Sequence, residues 1–254
     1  MQFDFAGKRV LVTGGTRGIG RSAVEAFLDA GARVAVNGRS ADSTARAVAE
    51  LGVPERVVTA PGDVGTASVC EAIVAAAIEG LGGLDVLVNN AGIGVDARIE
   101  DTDEAFWDAT LDTNLKGTFF CSRAALEALR ATRGNIVNIS SDAGLVGSQT
   151  LVAYCASKGG VVNMTRAMAV ELAPLVRANC VCPGYVDTDM VRRDGIDKAD
   201  DPAAEEQALI DFAPLKRIAT PEEIAAVILF LASHEARFMT GAALPIDGGA
   251  GAGH

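Results

Sequence analysis

The chain has 254 residues, a formal net charge of −11 at pH 7, 28 glycines and 5% aromatic residues. A chain of this length can bury one large α/β core, although length alone would also suit two small domains. The acidic balance excludes nucleic acid and an anionic membrane as main partners, because both need a basic face, and the glycine-rich, aromatic-poor composition disfavours an all-β sandwich.

Taken in chain order, short apolar runs alternate with longer helical patterns. Met1–Phe5 lacks the basic and apolar segments of a secretory leader. Arg9–Thr13 reads as a strand and Gly18–Ala30 as a helix. Arg33–Asn37 and Ala41–Leu51 repeat the pair, as do Val57–Thr59 and Thr66–Glu79. Leu84–Asn89 is a fourth strand, Glu104–Arg130 a long helix, Asn135–Ser140 a fifth strand and Ala153–Leu172 a further helix. A sixth strand over Arg177–Cys182 follows. A helix over Pro221–Leu231, with Thr220 as N-cap and Pro221 in its first turn, leads to a last strand over Gly241–Ile246.

These strands are continuous apolar runs, the mark of strands buried on both faces of a parallel sheet. The fold class that follows is α/β: one doubly wound domain over residues 1–254, with a seven-stranded, mostly parallel sheet and helices on both faces. The irregular polar stretch 187–213 follows the sixth strand, where ligand crevices open in such sheets, and reads as a substrate lid. The longest strongly apolar run, Ile224–Ala232, is far short of a bilayer span, so a soluble cytoplasmic protein without a membrane partner is expected. Cys70, Cys121, Cys155, Cys180 and Cys182 are odd in number and lack C-x-x-C spacing. They predict neither a disulfide frame nor a metal site, but small buried side chains.

The first strand runs into Thr13-Gly14-Gly15-Thr16-Arg17-Gly18-Ile19-Gly20. Gly14 permits a tight turn. Gly18 and Gly20 let the backbone approach an anion at the helix N-terminus, where free N–H groups and the helix dipole favour it. Between a first strand and a first helix, this is the pattern of a dinucleotide pyrophosphate cradle in a Rossmann-type fold. After the second strand an acidic residue would grip the ribose hydroxyls of NAD, but the chain offers Asn37-Gly38-Arg39-Ser40. Arg39, with Arg17 in the glycine turn, is placed to meet the 2′-phosphate of NADP, and Thr16 of the same turn is a further cofactor-binding candidate. NADP(H) is therefore the expected cofactor, with NAD(H) left open. Asp63, after the third strand, is placed either to accept from an adenine amino group or to cap a helix.

Tyr154 and Lys158 lie four apart on one helix face. A neighbouring ammonium, helped by a positively charged nicotinamide, favours the phenolate. Bringing a phenol from its usual pKa of about 10 to near 7 corresponds to roughly 4 kcal/mol. Such a group gives a proton to a carbonyl oxygen or takes one back. Ser141 ends the fifth strand, where its hydroxyl can bond the reacting oxygen.

Together these residues resemble the short-chain dehydrogenase/reductase family over essentially the whole chain, with a pattern like bacterial 3-oxoacyl-carrier-protein reductases. Gly14-x-x-x-Gly18-Ile19-Gly20 is similar to that family's glycine motif, and Asn89-Asn90-Ala91-Gly92 to its motif after the fourth strand. Asn114, Ser141, Tyr154 and Lys158 match its catalytic tetrad position by position. Pro183-Gly184-x-Val186-x-Thr188 and Asp247-Gly248-Gly249 match its later motifs. The resemblance implies that Tyr154 is the acid/base and that Lys158 lowers its pKa and holds the nicotinamide ribose. It implies that Ser141 polarises the substrate oxygen and that Asn114 positions a water. Asn90, Ala91 and Gly92, with Asp63 and Val64, would flank the adenosine side. Pro183, Gly184, Val186 and Thr188 would meet the nicotinamide end, and Asn89 would tie strands together. The implied activity is NADP(H)-dependent interconversion of a small-molecule carbonyl and a secondary alcohol. The implied partner is self, as a homotetramer joined through the Glu104–Arg130 and Ala153–Leu172 helices.

Two alternatives stay open: an NAD-linked sugar, polyol or cyclic alcohol dehydrogenase, and a non-catalytic dinucleotide sensor. Val146, Tyr185 and Met190 are expected to line an apolar pocket. Arg192 and Arg193 are candidates to meet an anionic substrate group. Arg130, Arg133 and Arg177 are candidate docking charges for a carrier protein. Between Glu171 and Asn179 the chain is one residue shorter than is usual in the bacterial relatives, which should alter a surface turn and not the chemistry.

Overall fold

The computed structural model describes residues 3–193 and 195–253. Met1, Gln2, Asp194 and His254 lie outside the described residues, so parts of the N-terminal reading and of the 187–213 stretch fall there.

Seven strands form one sheet in the order β3-β2-β1-β4-β5-β6-β7. They are β1 (Arg9–Val12), β2 (Arg33–Val36), β3 (Val57–Thr59), β4 (Val86–Asn89), β5 (Asn135–Ile139), β6 (Arg177–Pro183) and β7 (Ala243–Ile246). Every pair is parallel, so the expected sheet is parallel throughout. The order reverses between β1 and β4, which leaves a crevice at the carboxyl ends of those two strands.

Both sheet faces are apolar because alternate residues of each strand enter different cores. Val10, Val12, Val86, Val88, Val137 and Ile139 pack with α1 (Gly18–Asp29) and α8 (Pro221–Ala232). Leu11, Leu87 and Ile136 pack with α3 (Ala67–Leu81) and α5 (Gly117–Thr132). Leu11, Leu87, Ile136, Ile224 and Ile228 are each fully buried, and each contributes roughly 1.5–3 kcal/mol of hydrophobic burial. Among the described residues no helix is long and apolar enough to cross a membrane. Cys70, Cys121, Cys180 and Cys182 are buried thiols, as expected, and Cys155 is half-buried.

Two segments differ from the sequence reading. The long helix over 104–130 is α4 (Glu104–Leu111), a π-helical turn over Asp112–Lys116, and then α5. The wider turn holds Asn114, and such insertions re-aim side chains at functional sites. Within 187–213 the chain forms a short turn over Ile196–Lys198 and α7 (Pro202–Phe212). Asp201 caps α7 by accepting from the Ala204 N–H, with Pro202 at its first position. That Asp-Pro pair is the same kind of start signal as Thr220-Pro221, and the high polarity of the stretch masked it. The remaining helices are α2 (Ala41–Glu50) and α6 (Val152–Leu172).

Candidate active site

The glycine turn is closed by backbone contacts that exclude side chains. Gly14 has φ +63°, and a Cβ there would lie 2.9 Å from Ala91 Cα. A Cβ on Gly20 would lie 2.3 Å from the Gly14 carbonyl oxygen. Asn90 locks the turn to the end of β4: its Nδ2 donates to the carbonyls of Thr13 at 3.0 Å and Gly14 at 3.1 Å. Thr13 Oγ1 accepts from the N–H groups of Asn90 and Ala91. Asn89 donates to Ser122 and Asn138, tying β4 to α5 and β5. Ile19, in the first turn of α1, is partly buried against the core.

The start of α1 is left open. Ser40, Asp103 and Asp201 cap α2, α4 and α7, and Thr220 with Glu223 caps α8. At Arg17 there is no side-chain cap, and the first turn of α1 carries no acidic residue. Its free N–H groups therefore face the crevice with the positive end of the helix dipole, an arrangement that fits a pyrophosphate. Thr188 reaches the same place from the chain after β6, 3.2 Å from where a Gly18 Cβ would be.

The end of β2 is joined to this turn. Gly15 N–H donates to the Asn37 carbonyl, and Asn37 Oδ1 accepts from Gly14 N–H. Asn37 Nδ2 donates onward to Ala60 and Gly62. This buried bridge was invisible in sequence, where Asn37 registered only as a missing carboxylate. Thr16 presses on Gly38, where a Cβ would come within 2.5 Å of Thr16 Cγ2. Arg17 follows Thr16 and Arg39 follows Gly38, so this contact brings the two stretches of chain that carry the arginines together. Arg39 is exposed and has no ion pair among the described residues. Arg17 pairs with Asp189 at 3.4 Å, both side chains more than half exposed, a contact weak enough for Arg17 to be re-aimed. Asp63 is exposed and accepts from Gly65 N–H in the turn before α3, whose N-cap is Thr66, so Asp63 does not cap that helix. Val64 is a core residue against Gly117 of α5.

The tetrad converges at the ends of β4 and β5. Ser141 lies beside Tyr154, and its Oγ donates to Asp142 Oδ1 at 2.9 Å. The Lys158 ammonium lies 5.6 Å from the Tyr154 ring centre and donates to the Ile139 carbonyl at 2.9 Å. Asn114 is buried, with Oδ1 accepting from Ile93 N–H and Nδ2 donating to the Ile93 carbonyl and to Ser157 Oγ. Ser157 in turn bonds the Tyr154 carbonyl, a link that sequence reading missed. Gly92 stands between the two: a Cβ there would be 3.2 Å from Asn114 Oδ1 and 3.4 Å from Lys158 Nζ. Burial pushes the Tyr154 phenol up to about 12, against the lowering expected from sequence, while the neighbouring Ser141 hydroxyl acts in the opposite sense. Burial also brings the Lys158 ammonium down to about 8.

The substrate side is formed by the chain after β6. Met190 approaches Tyr154 at Gly94, where a Cβ would sit 3.1 Å from Met190 Sδ and 3.3 Å from Tyr154 Cε2. Tyr185 packs edge-on to Phe212 of α7, ring centres 5.6 Å apart. Pro183 ends β6 with its carbonyl toward Ser141 Oγ, and Gly184 donates to Ile246. Val186 is buried and bridges to Ala219. Arg192 is held by Asp187 and Glu206, and Arg193 by Asp189, so both are internally paired. Arg177 does not present a docking charge. Its guanidinium donates to the carbonyls of Leu231, Ser233 and Met239.

The buried ammonium makes a stability prediction. Lowering Lys158 from 10.5 to about 8 corresponds to roughly 3 kcal/mol of burial cost below pH 8. Lys158→Met keeps the stem and removes the charge, at the expense of the Ile139 bond. A melting temperature about 2–6 °C above the parent at pH 7 is expected. Because the folded-state value is the lower one, the parent's cost fades as pH rises from 8 towards 10.5, and the gap should narrow. Thermal melts at pH 7 and pH 10 test this, and an unchanged or lower melting temperature at pH 7 contradicts it.

A family model described as enoyl-(acyl carrier protein) reductase matches residues 14–251. The chain is 40% identical to 2-(S)-hydroxypropyl-CoM dehydrogenase 3 of Xanthobacter autotrophicus, over 94% of this chain and 95% of that one. It is 36% identical to the 3-oxoacyl-acyl-carrier-protein reductase MabA of Mycobacterium tuberculosis, over 98% and 95%. A Brucella melitensis structure described as a short-chain dehydrogenase/reductase, glucose/ribitol dehydrogenase, superposes with a TM-score of 0.91 at 36% identity, covering 98% of this chain and 99% of the other. With the tetrad and glycine motifs at their matching positions, the chain belongs to the short-chain dehydrogenase/reductase family of oxidoreductases.

Proposed function

We propose that this protein is an NADP(H)-preferring oxidoreductase that interconverts a carbonyl and a secondary alcohol, with Tyr154 as the proton donor or acceptor. The observation that carries the reading is the gathering of Tyr154, Lys158 and Asn114 with Ser141 at one place, together with the uncapped start of α1. When bound, the nicotinamide supplies or takes up the hydride. Gly14, Thr16, Gly18, Ile19 and Gly20 would hold its pyrophosphate through backbone groups. Arg17 and Arg39 would hold the 2′-phosphate. Asp63, Val64, Asn90, Ala91 and Gly92 would flank the adenosine, and Pro183, Gly184, Val186 and Thr188 the nicotinamide.

The remaining steps belong to the chain. Tyr154 stays protonated at neutral pH because burial favours the neutral phenol, the state needed to give a proton to a carbonyl oxygen. Ser141 Oγ positions that oxygen. Lys158 sets the local charge, and Asn114 keeps an acceptor lone pair near it for a water leading outward. The 187–213 stretch would cover the substrate, with Met190 and Tyr185 against it. The test is a carbonyl and alcohol panel with NADPH/NADP⁺ and NADH/NAD⁺, read by nicotinamide absorbance. Turnover of at least one pair with an NADP(H) preference is expected. Inactivity with every pair would overturn the reading.

Self-association forms part of the proposal. Trp107 of α4, Phe119 of α5 and Val170 of α6 are exposed at 38%, 43% and 83%, more apolar surface than isolated helices at a monomer's surface need. Light scattering at micromolar concentration should give a tetramer, and a monomer would contradict this.

A further inference from the structure

Asp142 directly follows Ser141 and is half-buried at the end of β5. Its Oδ1 is used twice, accepting from Ser141 Oγ at 2.9 Å and from Ala143 N–H at 2.8 Å. Its Oδ2 points to the ends of β6 and β7, 3.3 Å from where a Gly184 Cβ would be. Among the described residues Oδ2 has no hydrogen-bond partner, and no Lys or Arg pairs with Asp142.

The surroundings leave this oxygen for a ligand. Asp247, on the chain after β7, faces Asp142 but is satisfied by the N–H groups of Gly249 and Gly251. Tyr154 on α6 and Tyr185 after β6 both feel the Asp142 charge, and Tyr185 also feels Asp96 and Glu205. Burial, with Asp247 alongside, moves the Asp142 carboxyl upward. An acidic wall of this kind repels a carboxylate or phosphate near the reacting carbon. A plain hydrocarbon chain laid over Oδ2 would strip its water and return no donor, which costs binding.

The reacting oxygen must bond Ser141 Oγ, and Asp142 lies one further hydrogen bond from that atom. A donor on the carbon next to the carbonyl therefore comes within reach of Oδ2. Resting on the reaction proposed above, we infer that the substrate is an α-hydroxy ketone or the matching vicinal diol, its second hydroxyl donating to Asp142 Oδ2. Asp142 is then a specificity-determining residue, and the hydroxyl hydrogen of Ser141 turns from its Oδ1 to the reacting oxygen when substrate binds.

The test compares ketones that differ only in the donor: hydroxyacetone against methoxyacetone, and phenacyl alcohol against its methyl ether, which have similar carbonyl reactivity. In the parent, kcat/KM with NADPH should favour the hydroxy ketone by at least about tenfold. In Asp142→Ala that ratio should fall to within about threefold, mainly through the hydroxy ketone. Asp142→Asn, which keeps the shape without the charge, should fall between. Thermal melts and NADPH titration check that the variants are folded and bind cofactor. Turnover without a hydroxyl preference, or a preference unchanged in Asp142→Ala, would overturn this inference and leave the proposed reaction standing. No turnover of either pair, nor of any compound in the wider panel, would count against the reaction itself and the inference with it.

Discussion

Replacing Tyr154 by Phe should cut turnover at least about a hundredfold and leave NADPH affinity within about twofold. The ring sits against the position of Gly94 and under the Lys158 ammonium, and Phe preserves both contacts. Ser141 keeps its bonds to Asp142 and Ala143. What disappears is the phenolic proton of the acid/base, so the loss should fall on kcat with little change in KM. Stopped-flow binding of NADPH and steady-state kinetics separate the two. A variant retaining more than about a hundredth of the parent rate would remove Tyr154 from the acid/base role.

The second large effect concerns cofactor choice. Parent kcat/KM should favour NADPH over NADH by roughly 30- to 1000-fold, from two charge-assisted contacts to the 2′-phosphate at low salt. Arg39 is exposed and unpaired among the described residues, and Arg17 gives up only a surface contact with Asp189. Raising ionic strength should shrink the preference, since both arginines lie at the surface. Arg39→Asp should reverse it, because the new carboxylate repels a phosphate and accepts from ribose hydroxyls. Asn37 cannot substitute for that acceptor: its side chain is spent bridging Gly14, Ala60 and Gly62. Equal efficiency with both cofactors in the parent, or an unshifted preference in the variant, would sink the assignment of Arg17 and Arg39.

Much of the architecture was legible because the strands are uninterrupted apolar runs with both faces buried, and because glycine, proline and cap residues mark the helix starts. The π-helical turn at Asp112–Lys116 was not legible, since the 3.6-residue pattern continues through it and only the position of Asn114 in space reveals the extra residue. α7 was missed because its composition is polar enough to resemble a loop. In the site, the Tyr154–Lys158 pair followed from residue spacing and the full tetrad from the family resemblance, but the burial that raises the Tyr154 phenol followed from neither: a neighbouring Lys four residues on promised the opposite shift. Arg177 looked like a surface charge and is spent on backbone carbonyls, a role visible only once β6 and α8 are brought together. Asp142 carried no motif of its own and became informative only through its bond to Ser141.

The central claim is hydride transfer at this site, and isotope transfer measures it most directly. The protein would be incubated with a carbonyl substrate from the panel and NADPH carrying deuterium on the transferable ring carbon, each face labelled in turn. Mass spectrometry of the alcohol should show one deuterium, bound to carbon, from one face only, and none above background with Tyr154→Phe over the same time. Alcohol that carries no label from either face would contradict the account.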